Sequence, residues 1–90
     1  MAGIDDTLAE RGKRYGDFAD HSALSQKLKT AMTTNSGYTQ LSSIHREALD
    51  MIQHKIARII NGDADYDDSW VDISGYATLV VKDIQKRTKK

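Results

Sequence analysis

The chain has 90 residues, in which 13 Lys and Arg balance 13 Asp and Glu, and it contains neither cysteine nor proline. That length suits one domain with one modest core, and so small a core favours self-association as a way of burying the remaining apolar surface. The charge balance leaves no global field toward nucleic acid or anionic membrane. The missing thiols exclude disulfides, thiolate catalysis and cysteine-ligated metals. No run of about 18 apolar residues suits a membrane span, and the start lacks a basic stretch followed by an apolar one, so the expected location is the cytoplasm.

The glycines punctuate four segments of helical periodicity. The first is expected over 4–11, with Asp5, Asp6 and Thr7 in its opening turn and Gly12 as its stop. After Lys13-Arg14-Tyr15-Gly16, Asp17 is placed to cap a second helix over 17–33, whose Leu24, Leu28, Ala31 and Met32 fall on one face. Thr33-Thr34-Asn35-Ser36-Gly37 reads as a loop, because small polar side chains compete for backbone hydrogen bonds.

A third helix is predicted over 39–61. Its stripe of Leu41, Ile44, Ala48, Leu49, Met51, Ile52, Ile56, Ile59 and Ile60 is too wide for a helix lying on a surface, so it takes the central place. Gly62 closes it, and an acidic loop, 63–68, leads to a last helix over 69–87 with the stripe Trp70, Ile73, Ala77, Val80 and Ile84. Gly75 inside that helix costs roughly 1 kcal/mol relative to alanine, which calls for close approach of another helix as its reason. The whole predicts an all-α fold: a small antiparallel bundle of three to four helices, a single domain over 1–90, and a homo-oligomer, most simply a dimer.

On the third helix, Glu47, Asp50, His54 and Arg58 follow at steps of three, four and four and form a polar ribbon. It reads as a solvated face trading weak ion pairs, or as two carboxylates sharing Mg²⁺ with a cation beyond them for the phosphates the metal carries. Lys55 and Arg58 sit among isoleucines and are expected to run their stems along apolar surface. Asp68 and Asp72 are four residues apart on the last helix, and Ser69 with Asp72 approximates a capping box. The acidic loop imitates the opening of a calcium loop but lacks the glycine and glutamate such a loop requires. His21, His45 and His54 have no ligand spacing, and each alone reads as structural or exposed. Five of the residues 82–90 are basic. They complement the carbonyl end of the last helix, so nucleic acid ranks last among possible partners.

Taken in order, Glu10-Arg11-Gly12 with Tyr15-Gly16-Asp17-Phe18, then Ala48-Leu49-Asp50-Met51-Ile52 with Lys55-Ile56-Ala57-Arg58-Ile59, then Asp68-Ser69-Trp70-Val71-Asp72-Ile73 with Gly75-Tyr76-Ala77, resembles a family of short phage and prophage proteins of unknown function. More distantly, an acidic central helix paired with an acidic last helix is similar to the MazG-like all-helical nucleoside triphosphate pyrophosphohydrolases. That resemblance implies Mg²⁺ held by Glu47, Asp50 and Asp72, with Asp68 joining them or acting as base, a phosphate contact from Lys55 or Arg58, and sites completed by dimerisation. Here Asp50 stands where the superfamily has a glutamate, and Ser69 where it has another. Two functions follow as expectations: a divergent Mg²⁺-dependent nucleotide-binding protein or pyrophosphohydrolase, or a noncatalytic phage accessory protein that binds a host protein.

Overall fold

A computed structural model describes residues 2–89, and among them the chain forms four α-helices and no strand. They are α1 (Ala2–Tyr15), α2 (Phe18–Thr33), α3 (Ser43–Asn61) and α4 (Asp68–Thr88), with a 3-10 turn (Ser36–Gln40) between α2 and α3. The all-α bundle expected from the periodicity is what the chain adopts. As expected too, α3 is central and packs against α1, α2 and α4.

Three boundaries differ from the sequence reading, each for a local reason. The first helix runs through Gly12, whose surroundings are open, and ends at Gly16. That residue takes the left-handed φ of 78° while its N–H bonds the Gly12 carbonyl at 2.9 Å. The third helix starts at Ser43, because Asn35 accepts from the Gly37 N–H at 2.8 Å and draws residues 36–40 into the 3-10 turn. Ser42 then caps α3 by accepting from the His45 N–H at 3.3 Å, and His45 Nδ1 accepts in return from the Ser42 N–H at 3.2 Å. Histidine thus fills the place usually held by Glu or Gln in this reciprocal cap. In the last helix, Ser69 is buried within the first turn and Asp67 stands at the cap position, so Ser69 and Asp72 form no capping box.

The interior is unusual in what it holds. Ala48 and Ala57 are the buried apolar residues among those described, and His21, Ser25, Gln53, Lys55 and Ser69 are buried beside them. Small side chains bring the helix backbones close, and Ser25 on α2 donates to Gln53 on α3 at 3.2 Å across that seam. The large aliphatic residues expected to form the core flank the seams instead, half-buried or exposed. The radius of gyration is 15.7 Å, against about 12 Å for a compact chain of this length.

Where α1 meets α3, two glycines interlock. A Cβ on Gly16 would strike the backbone and side chain of Asn61, and one on Gly62 would strike the backbone of Arg14 and Tyr15. The contact is stitched by hydrogen bonds. Asn61 Nδ2 donates to the carbonyls of Tyr15 at 3.1 Å and Asp17 at 2.9 Å, and the Asp63 N–H donates to the Arg14 carbonyl at 2.8 Å.

Gly75 provides the contrast, since nothing lies within 4 Å of the Cβ it lacks, so no helix of this chain explains it. Gly16→Ala is expected to lower stability by about 2 kcal/mol or more, through both steric conflict and the left-handed φ. Gly75→Ala is expected to raise it by about 0.5–1 kcal/mol. Urea unfolding followed by circular dichroism checks both, and equal effects at the two positions would refute the interlock.

Candidate functional site

The polar ribbon faces α1 and α2. Its upper part, Glu47, Asp50 and His54, lines a hollow of about 260 Å³ with Lys29, Met51 and Gln53. Its lower part, His54 and Arg58, lines a larger cleft of about 460 Å³ with Leu8, Arg11, Gly12, Tyr15, Gly16, Asp17, Phe18 and His21. His54 lines both concavities, so the four ribbon residues are divided between two neighbouring hollows that share that ring. The Gly16/Gly62 interlock places the end of α1 over the end of α3 and thereby shapes the larger cleft.

Arg58 is held by an aromatic ring rather than by a carboxylate. Its guanidinium lies 4.1 Å from the Tyr15 ring centre, and Arg14 lies 4.3 Å from that of Tyr66. The two tyrosine rings are 6.1 Å apart, which makes a run of two aromatic rings with a guanidinium at either end. Arg14 also meets Glu10 at 3.1 Å and Asp63 at 3.9 Å. Among the described residues, neither Arg11 nor Arg58 has a carboxylate within 4.0 Å. Their charge is available to an anion entering the cleft.

His21 and His54 meet edge to face, ring centres 4.7 Å apart, with Phe18 stacked 6.2 Å from His21. Burial first, then Arg58, then His21 hold His54 down to about 4, with smaller contributions from Lys55 and Lys29. Burial and then Arg58 lower His21 in the same direction. Both rings are therefore neutral at pH 7, and His21 Nδ1 and Gln53 Nε2 are buried without a hydrogen-bond partner beside the cleft and the hollow. The pair is 33 residues apart in sequence, so no spacing rule finds it. Arg11, Tyr15 and Phe18 also line the cleft; they belong to the motifs that carry the family resemblance, and no ligand spacing marks them.

The remaining predicted residues lie elsewhere. Lys55 is buried in the α3–α4 seam, where its Nζ meets the Asp72 carboxylate at 3.1 Å. Asp68 accepts from the Tyr66 hydroxyl at 2.9 Å, a bond that raises the phenol's pKa. Glu47 and Asp50 thus come together with His54 and Arg58, whereas Asp72 and Lys55 neutralise each other and Asp68 serves the loop. Among the described residues, no group of three or more His, Cys, Asp or Glu stands close enough to hold a metal ion. For Mg²⁺ the fit is that of two carboxylates, Glu47 and Asp50, which suits an ion that takes its other ligands from water and phosphate.

Fold and cleft define a small all-α protein in which two arginines without a carboxylate partner line a largely apolar cleft. The chain belongs to the family described as Domain of unknown function (DUF6378), which matches residues 5–84. No curated protein and no solved structure matches it. No helix among the described residues is long and apolar enough to cross a membrane.

Two outcomes follow from this geometry. An unfolded histidine takes its proton near pH 6.5, whereas folded His54 does so only near 4. The depressed value favours the folded state fully above the unfolded pKa, and that advantage declines as pH falls from about 6.5 toward 4. Thermal melts should fall between pH 7 and pH 5, and less steeply in His54→Gln; identical slopes would remove His54 as the cause. Asp72→Asn leaves Lys55 buried without its counter-charge and should cost about 1–2 kcal/mol, discounted for the half-exposed carboxylate.

Proposed function

We propose that this protein binds a nucleotide in the cleft between α1, α2 and α3, with its phosphates against Arg58 and Arg11 and its base among Leu8, Phe18 and the two neutral imidazoles. The observation that carries the reading is the pair of unpaired guanidiniums over a largely apolar cleft of about 460 Å³, within the usual range of roughly 300–1,000 Å³ for small-ligand sites. Guanidinium offers phosphate a planar fork of donors, and Tyr15 keeps the Arg58 fork oriented without neutralising it. Neutral histidines suit a base better than charged ones, since they present donors, acceptors and a flat face without competing for the phosphate.

Mg²⁺ enters as the ion the phosphates carry, and on the protein side Glu47 and Asp50 would hold it, one His54 away from Arg58. When bound, it supplies charge neutralisation to the phosphate chain. Asp72, Lys55 and Asp68 have structural partners and no part in this reading. Binding, rather than hydrolysis, is the function the donor set supports, and the MazG-like resemblance agrees with it in ligand class.

Calorimetric titration of a panel of nucleoside triphosphates with Mg²⁺ into the full chain tests the reading, with pyrophosphate release followed in parallel. Affinity is expected to fall at least tenfold in Arg58→Gln and in Arg11→Gln, a loss of about 1.4 kcal/mol or more, and to hold in Lys82→Gln. Release that disappears in Glu47→Gln would extend the function to hydrolysis. Absence of heat across the panel at millimolar ligand would overturn it and favour an accessory protein that binds a host protein.

A further inference from the structure

We propose that the face of α3 and α4 turned away from the nucleotide cleft is an interface with a second copy of this chain, packed antiparallel across a two-fold axis at Ala77. The starting point is what the chain fails to bury. Among the described residues, nothing apolar larger than alanine is buried, while Leu49, Ile60, Trp70, Val81 and Ile84 are exposed.

These residues share a side of the molecule. On α3, Leu49, Ile52, Ile56 and Ile60 recur at steps of three, four and four on the flank opposite Glu47, Asp50, His54 and Arg58. On α4, Trp70, Ile73, Ala77, Val81 and Ile84 form a stripe whose centre lies about 140° around the helix from Asp72. Asp72 meets Lys55, so the stripe opens on the other side of that seam. It lies one residue over from the stripe expected at Val80, which is half-buried, whereas Val81 is 49% exposed. The cleft shows α1 on the ribbon side, with Leu8, Arg11 and Tyr15 against His54 and Arg58.

The second copy is the occupant for three reasons. First, the α4 stripe reads the same in both directions: Trp70 and Ile84 stand seven residues either side of Ala77, and Ile73 and Val81 four either side. A two-fold contact needs such self-complementarity, and the small residue at its centre lets the helix axes approach. Second, the exposed charges are complementary end to end. Asp63, Asp65 and Asp67 precede α4 and Asp68 opens it, while Lys82, Lys86, Arg87 and Lys89 lie toward its end, outside the apolar stripe. Antiparallel packing sets acidic end beside basic end and opposes the helix dipoles. Third, the accessible surface is 6548 Å², roughly 1,200 Å² above the value for a compact monomer of this mass. That excess covers the roughly 800 Å² per partner of an ordinary specific interface.

Sedimentation velocity on the full chain at micromolar concentration is expected to give twice the chain mass. Val81→Glu is expected to give the monomer with its helical circular dichroism retained. Cross-linking tests the geometry without relying on a disruptive variant, because the chain has no cysteine of its own. Ala77→Cys lies on the axis and should oxidise to a disulfide dimer in native buffer, whereas Ile84→Cys faces Trp70 of the other copy and should not. A monomer at all concentrations, or Ile84→Cys linking as readily as Ala77→Cys, would overturn the proposal. Neither readout depends on nucleotide binding, which concerns the opposite face.

Discussion

The rest of the molecule depends on the mutual approach of Gly16 and Gly62. Each sits where the other's neighbouring backbone leaves no room for a side chain, and Asn61 bridges the gap by donating twice into the turn between α1 and α2. Three hydrogen bonds of about 1 kcal/mol each are modest. Their position is what matters, because they join the end of the first helix to the end of the third and fix the turn that launches the second. Without that junction α1 has little to hold it, since its Ile4 and Leu8 side chains are exposed.

The same junction creates the cleft. It sets Tyr15 beneath Arg58 and brings Arg11 into the cleft lining, while α2 leaves the turn in the direction that carries His21 to His54. The electrostatic consequence is a division of labour among similar residues. Lys55 is neutralised by Asp72 across the α3–α4 seam and Arg14 by Glu10 within α1, so the charge of those cations is already matched. Arg58 rests on an aromatic face that orients it and leaves its charge intact, and that charge helps keep both histidines unprotonated. The two sides of α3 then serve different ends, a charged and aromatic path toward α1 and a large aliphatic surface on the opposite flank.

Much of this was legible in the chain. The spacing of Glu47, Asp50, His54 and Arg58 marks one helix face without any structure, because side chains three and four apart share a face whatever packs on it. The central place of α3 followed from the width of its apolar stripe. The same stripe misled about burial: alanine, serine and glutamine occupy the tight seams, and periodicity does not distinguish a side chain inside a seam from one flanking it. The His21–His54 pair was invisible, since it depends on the angle at which α2 leaves Gly16. Asp72 and Lys55, which the MazG-like resemblance assigns to metal and phosphate, meet each other across the seam, a pairing set by the register of α3 against α4.

By itself, the sequence determined the local matters: four helices, their ends to within about four residues, the absence of thiol chemistry, and which residues share a helix face. These follow from backbone sterics and from hydrogen bonds spanning four residues or fewer, so they are written wherever the residues are. Only the tertiary structure decided which charges are spent on one another, which arginines stay unpaired, that two distant histidines meet, and that the large aliphatic residues lie outside the seams. Those outcomes depend on distances between helices, which a glycine contact and an asparagine amide fix and which spacing along one chain does not encode.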